Sequence, residues 1–340
     1  MAIPDEMNAI VLERHDPDLR GAIEALRVAR RRVNRPGRGQ VLVRIEAAPC
    51  HPADLMFLQG RYGVRKTLPT VPGFEGAGVV VATGGGILGR WLANKRVACG
   101  VRGDSDGTWA EYAVVDSASC IPLPAGLDFA QGSTSLANPL TAVSLLDVIR
   151  KGGHAGVVQS AAAGQLGRMI RALALRAGLG LVDIVRKESQ VSELEAAGAK
   201  RVLCSSHEDF AERLRDAARD QQATIALDAV AGRLTGLLLH AMPAGSTVLV
   251  YGALSGESCA DIEPIDFIFG DKRLEAFEVA NYLDHKSMPA RLLVARRAQR
   301  LLLSGDFRTN ILRQIGLDEA RDGLLEYVDH MSDGKILFSP

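Results

Sequence analysis

The stretch Gly156–Gly167, reading GVVQSAAAGQLG, constrains the fold more than any other part of the chain. A short apolar run, Val157-Val158, enters a turn of small residues, Ala161-Ala162-Ala163-Gly164. Helix-forming residues follow from Arg168 to Leu175. Strand, tight turn and helix in that order open a βαβ unit of the dinucleotide-binding kind. Small turn residues let the backbone approach a pyrophosphate, and the free N–H groups of the helix start point at it. Gly164 and Gly167 keep the GxxG half of the usual fingerprint, and alanines stand where its first glycine would be. A Gly/Ala turn before a helix is common in any α/β chain, so its surroundings must supply the rest of the argument.

Those surroundings alternate. Strands are expected at Gly156–Gln159, Leu181–Val185, Arg201–Cys204, Thr224–Asp228 and Thr247–Tyr251. Helices fall between them at Gly164–Ala177, through Leu194 to a stop at Gly198, at Phe210–Ala218 and at Leu234–His240. Near-continuous apolar strands spaced by helices predict a doubly wound parallel (Rossmann) sheet with both faces covered. Residues 1–126 read differently. Strand candidates Val41–Ala47, Gly78–Ala82 and Lys95–Ala98 are punctuated by Gly and Pro, without regular helical alternation. A separate, mostly β domain follows. Pro122-Leu123-Pro124-Ala125-Gly126 reads as a linker, and Asp128–Arg150 as largely helical. Beyond residue 280 come helices at Pro289–Leu303 and Asp318–Ser332, then a last short strand at Gly334–Phe338. A lone terminal strand needs a sheet to join, and the first domain is the expected host. The expected organisation is therefore α/β, with a discontinuous domain of residues 1–126 and 281–340 and a dinucleotide-binding domain of residues 127–280.

Composition narrows the function class. Forty basic and forty acidic residues cancel, which argues against nucleic acid or an anionic membrane as the main partner. The short clusters Arg30-Arg31-Arg32 and Arg296-Arg297 read as solvated faces. Five cysteines, an odd number with no CxxC pair, suit a reducing compartment. The opening MAIPDEMNAIVLERHD lacks the apolar core of a signal peptide, and no apolar run approaches ~20 residues. A cytoplasmic protein is expected.

The second strand ends at Val185, where NAD sites place an acidic residue on the ribose 2′-hydroxyl. Here Arg186-Lys187 follow, and Asp183 lies inside the strand, too early for that role. A guanidinium and an ammonium suit a 2′-phosphate, so the expected coenzyme is NADP(H).

Four further segments carry a resemblance. HPADLMFLQGRYG (His51–Gly63) precedes LPTVPGFEGAGVV (Leu68–Val80); NPLTA (Asn138–Ala142) and YGALS (Tyr251–Ser255) follow. In this order, over nearly the whole chain, they resemble the medium-chain dehydrogenase/reductase superfamily. Within it they resemble the zinc-independent quinone oxidoreductases and, most closely, the mitochondrial-type trans-2-enoyl-thioester reductases. The resemblance implies a GroES-like first domain and an NADPH-dependent reduction of an α,β-unsaturated carbonyl, an enoyl thioester or a quinone. It implies that Tyr62 assists proton delivery and that Asn138, Thr141, Phe277 and Val279 lie near the nicotinamide. Ala162, Ala163, Gly164 and Gln165 would line the pyrophosphate turn. Tyr251, Gly252, Ala253 and Leu254 would come from the end of the fifth strand, and Lys335 would match a terminal lysine near the coenzyme. No metal is expected. Phe74 stands where the zinc enzymes have the His of a GHE motif, no cysteine cluster follows Gly100, and Cys50, His51 and Glu75 read as a buried thiol and a structural carboxylate group. Two features depart from the enoyl reductases: Glu278 replaces a tryptophan, and AAAG in the turn is nearer the quinone oxidoreductases. A non-catalytic NADPH-binding protein is the remaining alternative, against which the retained Tyr62 argues. The apolar stretch Ile262–Val279 matches a region that often forms a sheet-extending homodimer interface in this superfamily.

Overall fold

Residues 3–340 are described in the computed structural model of the chain. They divide into two units, Met1–Ala137 with Ala298–Pro340, and Asn138–Arg297.

In the first unit β1 (Glu6–Val11) and β2 (Arg27–Arg32) pair antiparallel, with Glu6 opposite Arg32. The arginine run Arg30–Arg32 is thus an edge strand; Arg30 pairs with Glu6 at 3.3 Å and faces solvent. The main sheet is built on β3 (Gln40–Pro49), which pairs antiparallel with β4 (Glu75–Thr83) and with β6 (Tyr112–Asp116). β4 continues to β5 (Arg96–Gly100), and β5 to β7 (Cys120–Pro122). Val41, Val43, Ile45, Val80 and Val97 point into one core with Trp109. The expectation of strands and turns alone overlooks three short helices, Leu19–Glu24, Pro52–Leu58 and Ile87–Leu92. Six or seven residues are too few to show an apolar period. Their signal lies in the caps. Asp18 accepts a hydrogen bond from the Gly21 N–H, and Pro52 opens a helix whose Asp54 carboxylate accepts from the His51 N–H at 2.7 Å.

In the second unit β8 (Gly156–Gln159), β9 (Gly180–Val185), β10 (Val202–Cys204), β11 (Ala223–Asp228), β12 (Thr247–Val250) and β13 (Arg273–Ala276) lie parallel in the order β10-β9-β8-β11-β12-β13. This is the doubly wound arrangement expected, with helices Gln165–Arg176, Glu188–Ala196, Phe210–Asp220 and Arg233–Ala241 between the strands. The sixth strand, β13, escapes a sequence reading because RLEA is mostly exposed and carries no apolar run. The stretch Asp128–Arg150 is broken into Phe129–Ser133 and Ala137–Lys151. Residues 127–137 pack in the first unit, where the Gln131 amide exchanges two hydrogen bonds with the Thr309 backbone. Residues 281–297, the start of helix Met288–Leu303 included, pack in the second.

The chain returns to the first unit with β14 (Ile311–Ile315), helix Ala320–Asp329 and β15 (Lys335–Phe338). β15 runs parallel to β14 and antiparallel to the end of β3, Phe338 opposite Ala48. The terminal strand therefore joins the first unit's sheet, and Phe338 packs on Trp109 with ring centroids 4.8 Å apart. Among the described residues no helix is long and apolar enough to cross a membrane.

Candidate active site

The second unit sets Ala162–Gln165, Arg186-Lys187, Tyr251–Leu254 and Phe277 just beyond the carboxyl ends of its strands, where parallel sheets bind ligands. After β8 the chain turns tightly, with Ala161 at φ 52 and the Gly164 N–H bonded to the Ala161 carbonyl at 3.0 Å. The Ala162 N–H donates to the Ile184 carbonyl at 3.0 Å, which ties the turn to β9. Ala162, Ala163 and Gln165 are buried, and Gln165 begins the helix. Gly167 admits no side chain: a Cβ there would lie 2.6 Å from the Ala162 carbonyl oxygen and 2.7 Å from that of Ala161. The turn and the first helical turn therefore close on each other at backbone distance, which suits a pyrophosphate cradle.

Arg186 and Lys187 follow β9 and are exposed, their N–H groups both donating to the Gln190 side chain. Asp183 is buried among Gln159, which donates to it at 2.6 Å, and Arg171 at 3.7 Å. Burial pushes its carboxyl up, against the pull of those two partners. It is a structural group. Tyr251, Gly252, Ala253 and Leu254 follow β12, tied back by the Tyr251 and Leu254 N–H groups to the Asp228 and Ala229 carbonyls. Asp228 itself accepts from Ser160, Thr235 and the Val230 N–H. Asn138 lies in the first turn of helix Ala137–Lys151 and Thr141 at the start of the second, Thr141 buried. Phe277 is buried against Tyr282 with ring centroids 5.3 Å apart, and Val279 begins the helix Val279–Asp284. Glu278, which stands where the enoyl reductases have a tryptophan, caps that helix. Its carboxylate accepts from the Ala280 and Asn281 N–H groups at 2.9 and 2.6 Å.

Among the described residues, Glu188, Cys204 and His207 bring three potential metal-ligating atoms within 4.8 Å of one another. Each is already committed. His207 meets Glu188 at 2.9 Å and Arg213 at 3.2 Å, and the Cys204 thiol contacts the Arg186 carbonyl and Ser206.

The first unit holds Tyr62, half-buried, four residues beyond helix Pro52–Leu58. Its ring packs on Phe74 at 5.1 Å, and Phe74 packs edge-on against Phe57 at 5.4 Å. Phe74, in place of a metal-binding histidine, is thus part of an aromatic stack. The next residue, Glu75, is buried; it accepts from the Leu136 N–H and meets His51 Nε2 at 2.7 Å. Lys335 lies in this unit too. It is buried, and Nζ donates to the Cys50 carbonyl at 3.0 Å and to Tyr327 Oη at 2.7 Å. Burial lowers it to about 8, although Cys50, Asp54 and Glu75 pull the other way. Lys66, which sequence reasoning missed, is buried with Nζ 5.2 Å from the Phe74 ring and 5.6 Å from that of Phe57. A lone lysine in a Gly/Pro-rich loop gives no sequence signal of this.

Comparison with known proteins agrees with this layout. Residues 37–125 match the family of alcohol dehydrogenase GroES-like domains. The crystal structure of a candidate NADPH:quinone reductase from Mesorhizobium loti is 32% identical, with a TM-score of 0.93 and 100% of both chains covered. A mitochondrial enoyl-[acyl-carrier-protein] reductase from Xenopus tropicalis is 28% identical over 83% of this chain and 80% of its own length. A mycobacterial protein solved with NADPH shares the fold, at 20% identity and a TM-score of 0.82 over 98% of this chain and 100% of its own. With the strand order, the phosphate turn and the GroES-like unit all in place, the chain belongs to the medium-chain dehydrogenase/reductase superfamily.

Proposed function

We propose that the protein is an NADPH-dependent reductase of an activated double bond in an α,β-unsaturated carbonyl compound, with a trans-2-enoyl thioester as one candidate substrate. The observation that carries this reading is the tight turn at Ala161–Gly167, closed at backbone distance by Gly167, with Arg186 and Lys187 exposed at the end of the neighbouring strand. Its relatives are named as enoyl reductases and NADPH:quinone reductases.

When bound, the nicotinamide supplies a hydride to the β-carbon. The chain's own residues do the rest. Arg186 and Lys187 hold the 2′-phosphate, a charge-assisted contact that NADH cannot make. The turn residues Ala162, Ala163, Gly164 and Gln165 cradle the pyrophosphate against the helix start. Asn138, Thr141, Tyr251–Leu254, Phe277 and Val279 bound the nicotinamide end. Tyr62 donates a proton as negative charge develops on the substrate carbonyl; a phenol, with an ordinary pKa of ~10, is protonated at neutral pH and able to donate. Lys335 holds the carbonyl of Cys50 and thereby the start of helix Pro52–Leu58, which leads to Tyr62. No catalytic zinc takes part in this reading: Phe74 is packed between rings and offers no ligand, and Glu75 and His51 bind each other.

A quinone is the second candidate acceptor, favoured by the 32% identity to the Mesorhizobium loti protein over the whole chain. NADPH oxidation measured in parallel with crotonyl-CoA, 2-decenoyl-CoA and 1,4-benzoquinone separates the two. The enoyl reading expects thioester turnover that falls about 100-fold or more in Tyr62→Phe. Turnover of quinone alone, untouched by that substitution, makes the protein a quinone reductase. Tight NADPH binding with no turnover of any acceptor removes the enzymatic reading. We also propose a homodimer, supported by the exposed apolar residues beside β13.

A further inference from the structure

Lys66 is the least explained charge in the first unit. It is 7% exposed, and its Nζ is buried without a hydrogen-bond partner. Three carboxylates act on it electrostatically: Asp54, Asp104 and Asp106. All three are spent elsewhere. Asp54 accepts from the His51 and Phe74 N–H groups. Asp104 takes both the N–H and the hydroxyl of Thr67. Asp106 accepts from the Val71 N–H and pairs with Arg31 at 3.2 Å. What Lys66 has instead is two aromatic faces, Phe74 and Phe57. Such contacts return only part of the cost of desolvating an ammonium. Desolvation accordingly lowers its pKa from the usual lysine range, with the three carboxylates opposing.

An unpaired buried cation weakens the fold unless something else requires the charge. Phe74 shows what that is. The ring that carries the Lys66 ammonium at 5.2 Å is the ring on which Tyr62 packs at 5.1 Å. We propose that Lys66 is a positioning residue for the proton-donating Tyr62, its ammonium stabilising the phenolate left when that proton departs. In the step it serves, the O–H bond of Tyr62 breaks and a C–H bond forms at the substrate α-carbon. The O–H electron pair stays on the phenolate oxygen, and water later restores the proton. The two electrons of the reduction come from the NADPH hydride. An ammonium and a phenol that share one aromatic neighbour are coupled through the field, which the burial of Lys66 leaves weakly screened on its side. This inference rests on the proton-donor reading of Tyr62.

The test uses Lys66→Met, Lys66→Arg, Tyr62→Phe and the double variant Tyr62→Phe/Lys66→Met in the full-length protein. Lys66→Met removes a buried charge at nearly equal volume, so its melting temperature should rise or hold while kcat falls about tenfold or more, with KM for NADPH unmoved. Lys66→Arg should recover part of the rate. The double variant should be no slower than Tyr62→Phe, because a group acting through Tyr62 has nothing to act on without it. A second readout needs no turnover: the phenolate absorbance lost in Tyr62→Phe isolates the ionisation of Tyr62 from the other four tyrosines. Lys66→Met should move the onset of that ionisation to higher pH, over the range in which Lys66 still holds its proton. An unmoved Tyr62 ionisation, or a rate loss accompanied by a lower melting temperature, overturns the proposal. Full turnover in Tyr62→Phe defeats the proton-donor reading itself. If the Tyr62 ionisation nevertheless moves in Lys66→Met, the electrostatic coupling stands and only its catalytic use is lost.

Discussion

Two residues of the second unit carry opposite kinds of information. Gly167 matters for the atoms it lacks. Alanine there would gain about 1 kcal/mol of helix propensity. Its Cβ would also stand 2.6 and 2.7 Å from two backbone carbonyl oxygens that cannot rotate away. Overpacking of this kind costs about 1–3 kcal/mol, which outweighs the gain. Gly167→Ala is therefore expected to lower the melting temperature and to weaken NADPH and NADH alike, because the common pyrophosphate cradle is displaced; isothermal titration with both coenzymes checks this. Arg186 matters for what it presents. Arg186→Ala should weaken NADPH about tenfold or more and leave NADH nearly unchanged. Equal losses for the two coenzymes would detach Arg186 from the 2′-phosphate. On the proposed reading, the two substitutions separate a part of the site shared by both coenzymes from a part that chooses between them.

At the scale of elements, the antiparallel pair β5–β7 sets Cys99 directly opposite Cys120, both free and buried. Burial, then the neighbouring Cys120 and Glu75, push the Cys99 thiol well up; burial and Asp116 push Cys120 up to about 12. Thiols that hold their protons in the fold stabilise it fully below pH 9, the unfolded value, and that stabilisation is lost as pH rises toward about 12. Lys335 has the opposite sign. Its folded value of about 8 lies below the unfolded 10.5, so its burial costs stability at neutral pH and the cost is relieved between those values. Above pH 10.5 the Lys335 effect is complete, while the buried thiols and the buried Tyr327 phenol, which burial also holds well above its ordinary value, go on changing. The melting temperature of the first unit should therefore fall steeply above that pH, and Cys120→Ala should make the fall shallower; an unchanged slope would show that the thiol does not titrate with unfolding. None of this was legible beforehand, because strand pairing across an intervening loop and strand β6 decides which cysteines meet. What was legible followed periodicity. β8 to β12 are mostly buried, mostly apolar runs, and they emerge where expected. β13 and the three short helices of the first unit carry no such pattern. The same contrast holds in the site. The tight turn after β8 and the exposed Arg186-Lys187 after β9 are contiguous in sequence, so their local structure could be anticipated. Lys66, Phe57, Phe74 and Tyr62 form one stack only after α-helix and loop fold back on β4, and the cap role of Glu278 depends on a helix only six residues long.

At the scale of the whole molecule, the second unit's sheet ends abruptly. β13 is the last strand in its order, bonded to β12 on one side, and three of its four residues are exposed. An open edge of this kind invites another strand. Just before it, Ile265, Ile268 and Phe269 are 64%, 69% and 81% exposed, on and beside the short helix Pro264–Ile268. Large apolar side chains clustered next to an open strand edge are what a two-fold contact needs, since β13 and its copy can pair antiparallel while the apolar residues meet across the axis. A chain of 36.3 kDa should accordingly run in solution at about twice that mass by light scattering. Phe269→Glu puts a charge at the most exposed of the three positions, where it touches little of its own unit. The variant should run at the monomer mass with an unchanged far-UV circular dichroism spectrum. Monomeric parent protein at micromolar concentration would refute the dimer outright. A Phe269→Glu variant that stays dimeric would place the contact elsewhere on the molecule and leave the β13 edge to be protected by its charged residues, Arg273 and Glu275, alone.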